Sequence, residues 1–230
     1  MSEAIPGWAT EAAEVSPYDP AWAVRGEREV ASVAGLLADQ LVDGVEHIGS
    51  TSVPGLAAKP IVDVMASVAD PDAVVAGYAA RLAELGWCYV PPELDRRSWR
   101  RFFVKPDASG RHREAHLHVI AAGNARWRDQ LDFRDALRGD AALVAEYAAL
   151  KRGLAARCGH DREAYTEGKS AFVASVLRGQ RMSLTSSVGR ASRVPLSVTT
   201  NGRSITAGLS AMMPMTSSSD RSGLSRPSSL

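Results

Sequence analysis

Val30, Val33, Leu37 and Leu41 recur at spacings of three and four, which predicts an amphipathic helix over residues 21–41. Asp19-Pro20 supplies an N-cap and a proline at the first helical position, and Gly44 ends the helix. Val45–Ile48 reads as a short strand. Ile61–Val68 is apolar on both faces and reads as a buried one. Asp70-Pro71 starts a second helix through about Glu84, Gly86 stops it, and Trp87–Val90 reads as a third strand. Arg101–Lys105 and Glu114–Ile120 are further strands, joined as a hairpin by a loop containing glycine. After Gly123 the period changes. Asn124 caps a helix to about Arg138, and Val144, Tyr147, Leu150 and Leu154 stripe a second. A third runs from Asp161 to about Leu177 with Tyr165, Phe172 and Val176 inward. Trp127 and Phe133 suit the core better than a ligand platform. Strands dominate the middle and helices close the chain, so the expected class is α+β, a mixed sheet with flanking helices and a helical C-terminal part.

Composition narrows the setting. With 230 residues, 45% hydrophobic and 23% charged, the chain can bury a core without staples. Its two cysteines, Cys88 and Cys158, have no paired spacing, which argues against a disulfide framework and for a reducing compartment. The first fifteen residues carry acids and no apolar centre, unlike a secretory signal, and no apolar run reaches the ~20 residues of a membrane span. The cytoplasm is the expected location, with no membrane partner. The net charge of +1 hides an asymmetry: residues 181–230 hold six arginines and one acid, leaving 1–180 at −4. The acidic part shows no basic stripe, so nucleic acid is not an expected partner. The last fifty residues also hold fourteen serines and no aromatic side chain, a composition that predicts a disordered tail or an extension foreign to the rest.

The chemistry concentrates in HIGSTSVPGLAAKPIVDVM, His47–Met65. A strand, a Gly-Ser turn, a short helix and a strand bearing an acid follow one another. Such a turn lets backbone N–H groups and hydroxyls approach a phosphate, and the acid on the next strand can hold a divalent cation against it. Gly49-Ser50 and Asp63 have that spacing. Ser50, Thr51 and Ser52 equally suit a turn and helix cap. Lys59 suits a phosphate contact or a solvated loop. Asp63 suits a metal-holding role or a buried acceptor for the turn. Glu114, His116 and His118 alternate on one strand face, and an H-x-H pair can chelate a transition metal, alone or with His47, or line a polar cleft. Arg100, Arg101 and Lys105 place positive charge near a cleft or along a solvated edge. Tyr165 and Lys169, four apart, can close over the same cleft or simply pack.

The same stretch resembles the signature of the GrpB family, a group assigned to the nucleotidyltransferase superfamily. YDPAW at Tyr18–Trp22 resembles its opening, and RRFFVK at Arg100–Lys105, HLHV at His116–Val119, FRDALR at Phe133–Arg138, YAALKRGLA at Tyr147–Ala155 and AYTEGKSAFV at Ala164–Val173 resemble its later blocks, in the same order. The resemblance implies a nucleotidyltransferase-like domain over 17–179, after an extension at 1–16 and before the tail at 180–230. It implies a nucleotide or other phosphorylated ligand with a divalent metal (Mg, Mn or Zn), and nucleotidyl transfer as a candidate reaction. Asp63, His116 and His118 would be the catalytic and metal-holding residues. Gly49, Ser50, Thr51, Ser52, Lys59, Arg101 and Lys169 would bind phosphate. The pattern departs at Met65, where active nucleotidyltransferases carry a second acid. That departure keeps open a non-catalytic, accessory or chaperone-like role, as in fusions to dephospho-coenzyme A kinase.

Overall fold

The computed structural model describes residues 6–11, 14–158, 161–191, 199–200 and 203–204. It divides into two units, residues 1–184 and 185–230. In the first, helix α1 (Ala21–Leu36) leads into strand β1 (Leu41–Ile48), a single helical turn at Ser50–Ser52, and strand β2 (Val62–Val68). Helix α2 (Pro71–Glu84), strand β3 (Cys88–Val90), a one-turn helix α3 (Pro92–Asp95) and strands β4 (Arg101–Pro106) and β5 (Arg113–Ala121) follow. Helices α4 (Ala125–Gly139), α5 (Ala141–Cys158), α6 (Arg162–Glu167) and α7 (Ser170–Ala191) complete the order. The second unit contains a hairpin pairing Thr199–Thr200 with Arg203–Ser204. The rest of the serine-rich tail after Ala191 lies outside the described residues.

At α1 Pro20 takes the cap position and Asp19, one residue earlier, accepts from the Ala21 N–H; the other three caps act as read. Asp70 accepts from the N–H groups of Asp72 and Ala73, Asn124 from Arg126, and Asp161 from Glu163 and Ala164. Two boundaries differ from the periodic reading. Leu41 opens β1 rather than closing α1, because α1 stops at Leu36 and Leu37 leaves helical geometry. The last helix breaks around Gly168 and Lys169 into α6 and α7, and α7 continues to Ala191.

The sheet order is β1-β2-β5-β4-β3, with only β2 and β5 parallel. It is the mixed α+β sheet expected. One face packs Val62, Val64, Ala66, Val68, Leu117 and Phe103 against α1 and α2. These side chains are fully buried, and each contributes about 1.5–3 kcal/mol by leaving water. The opposite face buries Ile48, Met65 and Ile120 beneath Trp99 and α4 residues Trp127 and Leu131. Where that second face runs toward the start of β2 and β5, its side chains turn polar.

Candidate functional site

Residues directly opposed on neighbouring strands share a sheet face. Asp63 of β2 opposes His116 of β5, and Met65 opposes His118. The alternation of strand side chains therefore sets Asp63, His116 and His118 on one face, as H-x-H spacing requires. Oδ1 of Asp63 lies 2.9 Å from Nδ1 of His116 and 3.4 Å from Nε2 of His118. One donor atom from each residue lies within 4.8 Å of the other two. Asp63 keeps 29% of its side-chain surface open, so a ligand can reach the carboxylate.

Gly49 makes this approach possible. Its φ is +71°, a left-handed conformation, and a Cβ there would fall 2.5 Å from Oδ2 of Asp63. The glycine of the Gly-Ser turn is thus set against the carboxylate itself.

The hydrogens of the cluster can be placed. Arg100 donates to Nδ1 of His118, and a guanidinium can only donate. Neutral His118 then carries its hydrogen on Nε2, pointed at Asp63. Asp95 holds Arg100 by two bonds of 2.9 and 2.6 Å, with both side chains under 10% exposed. The Arg100 guanidinium also lies 3.7 Å from the Phe102 ring centroid, and Trp99 stacks parallel to His118 at 5.9 Å. His116 donates from Nδ1 to Asp63, which leaves its Nε2 buried with no hydrogen-bond partner.

Burial pushes the Asp63 carboxyl up, but the hydrogen bonds from His116 and His118 more than reverse this and hold it far below the usual range. Burial carries His118 down to about 4 against the pull of Asp63, and lowers His116 for the same reason. At neutral pH the cluster is one carboxylate with two uncharged imidazoles. Those are the protonation states in which these groups ligate metals.

The remaining expected residues separate. Ser50 and the Tyr147 side chain on α5 lie close enough to interact, and Tyr147 senses the charge of Asp63. Thr51 is buried and donates to the Ile61 carbonyl, so its hydroxyl shapes the turn. Ser52 does the same through the Gly49 carbonyl at 2.6 Å. Lys59 and Lys169 sit 4.4 and 4.7 Å from the centroid of the Tyr165 ring. Lys169 lies within electrostatic reach of Asp63. Arg101 is on the other face, fixed by both oxygens of Asp72 on α2. Lys105 pairs there with buried Glu29 at 2.7 Å. His47 also faces that side: it opposes Val64, fills the space that a side chain at Gly26 would need, and bonds Thr51 at 3.1 Å. Neither Arg101 nor His47 is brought to the cluster.

A sequence model described as GrpB protein matches residues 12–179. The chain belongs to the GrpB family. A UPF0157 protein of Pseudomonas aeruginosa is 39% identical over 168 residues, covering 71% of this chain and 66% of that protein. One from Halalkalibacterium halodurans is 33% identical over 169 residues, covering 70% and 78%. The crystal structure of conserved protein GrpB from Enterococcus faecalis superposes with a TM-score of 0.62 at 31% identity, covering 73% of this chain and 96% of that one. Within this GrpB domain, sequence reasoning missed the chemistry of two buried residues on α5, Tyr147 and Lys151. A signal for Lys151 existed. It lies four residues after Tyr147 and three before Leu154, on the buried stripe of α5, where a lysine is out of place.

Proposed function

We propose that this GrpB-family protein binds a phosphorylated ligand, a nucleotide first among them, together with a divalent cation held by Asp63, His116 and His118. The convergence of one ionised carboxylate and two uncharged imidazoles beside the Gly49-Ser50 turn carries this reading. The donor set fits a metal: the carboxylate is solvent-accessible, and His116 has an unpartnered nitrogen in the cluster. Two nitrogens and one oxygen favour zinc or manganese over magnesium. When bound, the cation would neutralise phosphate charge and polarise a phosphorus–oxygen bond. The chain's own residues do the rest. Asp63 keeps its charge at neutral pH, Arg100 orients His118, and Gly49 lets the Asp63 carboxylate approach the turn. For His118 to ligate through Nε2, its hydrogen would have to move to Nδ1 and Arg100 would have to release that nitrogen. Nucleotidyl transfer is the reaction such a site would support.

The test is calorimetric titration of zinc, manganese and magnesium, each followed by ATP, into the parent and Asp63→Asn proteins. Zinc or manganese is expected to bind most tightly, and Asp63→Asn to weaken it by about 1–3 kcal/mol or more, the scale of a lost charged partner. Its folding stability should fall as well, because the hydrogen bonds from His116 and His118 favour the ionised carboxylate. Absence of cation and nucleotide binding by folded parent protein would leave the accessory role. One observation favours that second reading: Met65 is fully buried with Ile48 and Ile120 where a second carboxylate would otherwise stand.

A further inference from the structure

Lys151 is 2% exposed on α5. Its Nζ donates to the Ala57 carbonyl at 2.5 Å and lies 4.8 Å from the Tyr147 ring centroid. A buried ammonium is ordinarily paired with a carboxylate. Among the described residues, no ion pair involves Lys151 or Lys169. Lys169 shares the Tyr165 ring with Lys59, and Tyr165 packs on Leu150 and Leu154, which flank Lys151 on α5. Three cationic side chains from the β1–β2 connection, α5 and the α6–α7 joint therefore gather around Tyr147 and Tyr165. The nearby carboxylate is Asp63, which Lys169 and Tyr147 both sense. Lys151 reaches the Ala57 carbonyl and Tyr147 packs with Val53 and Leu56, so the lysines stand beside the connection that follows the Gly-Ser turn.

We propose that Lys151 and Lys169 form an anion subsite that takes the distal phosphates of a di- or triphosphate ligand, an inference that rests on the phosphorylated-ligand reading above. Two ammonium groups without an ion-pair partner in a low-dielectric setting favour the arrival of an anion. A chain of phosphates supplies several negative oxygens at once, and a single phosphate spans less of the cluster. Lys169, half-buried, meets the phosphates directly. Lys151, deeper, lies beside the Tyr147 ring. Burial lowers Lys151 to about 7, and an arriving polyanion would favour its charged form.

The experiment uses the full chain and inorganic tripolyphosphate in EDTA, followed by calorimetry, with zinc titrated separately in the absence of phosphate. Parent protein is expected to bind tripolyphosphate. Lys151→Met and Lys169→Gln should each weaken it at least tenfold while still binding zinc. Thermal melting of Lys151→Met reports whether it folds. With a buried charge removed, the midpoint should hold or rise, and Lys169→Gln provides a second, partly exposed position. Failure of folded parent protein to bind tripolyphosphate overturns the subsite. So does equal binding by both variants, or monophosphate binding as tightly as tripolyphosphate. Lysine-dependent tripolyphosphate binding without zinc binding would keep the subsite and remove the metal from the proposed function.

Discussion

A carboxylate inside an otherwise apolar strand has to be stabilised by specific partners, and Asp63 has two. The hydrogen bonds from His116 and His118 outweigh its burial. Burial makes the two imidazoles poor bases, because it favours their neutral form more than Asp63 favours the charged one. His47 is lowered to about 4 as well, mainly by burial. These shifts give stability a direction with pH. The unfolded chain takes up protons at these histidines below about 6.5. In the folded protein, His47 and His118 take them up only near 4. The unfolded state therefore binds more protons between those values, and stability rises with pH across that window. Asp63 adds to the loss at lower pH, because its depressed carboxyl contributes fully only above the unfolded carboxylate value. Urea denaturation is expected to show stability falling from pH 7 to pH 4.5, on the order of 3 kcal/mol from His118 alone. A His118→Asn variant should flatten part of the slope. A profile that is level over this range would show that the histidines are not held neutral in the fold.

At the scale of elements, the sequence announced most of the architecture because its punctuation is strong. Asp70-Pro71, Asn124 and Asp161 start helices where their side chains can accept the first free N–H groups. H-x-H spacing guaranteed one face for His116 and His118, and the register across β2 and β5 delivered Asp63 to the same face. What stayed illegible depends on geometry between elements. Arg100 and Arg101 are adjacent, and only the β4–β5 register decides which turns to the cluster and which to Asp72. The break between α6 and α7 was hidden for a similar reason. Gly168 has ordinary helical torsions, so no conformational signal marks it. Space does: a Cβ there would lie 2.4 Å from Cδ2 of Leu154 on α5 and 3.2 Å from the Ala164 carbonyl. Gly168→Ala is therefore expected to cost about 1–3 kcal/mol, an overpacking penalty, despite the better helix propensity of alanine. Equilibrium unfolding measures it. Unchanged stability would mean that Leu154, 6% exposed, has room to move aside, and that the joint does not fix Tyr165 and Lys169 by close packing.

Across the whole molecule, charge and packing divide at nearly the same place. Val176 is the last buried hydrophobic residue among those described, and the family match ends at 179. Residues 185–230 carry five arginines and one acid, so a chain ending at Leu184 has a net charge of −3 against +1 for the full sequence. That cut keeps Arg181, which bonds Asp129 at 2.6 Å with 64% of its side chain exposed. An exposed pair of this kind contributes little. The shortened chain should therefore melt within about 2 °C of the full one, well under 1 kcal/mol for a protein of this size. A drop of more than about 4 °C would show that the basic segment contributes to the folded unit. The same pair of proteins separates two origins of polyanion affinity. Attraction by a basic tail acts at long range, is screened by salt and disappears with the tail. Affinity arising at Lys151 and Lys169 depends on groups that remain, in an acidic background that opposes it. Tripolyphosphate titrations at about 0.15 M salt should give the same affinity for both chains. Affinity lost with the tail would assign the polyanion binding to arginines beyond Leu184 and take it away from the cleft beside Asp63.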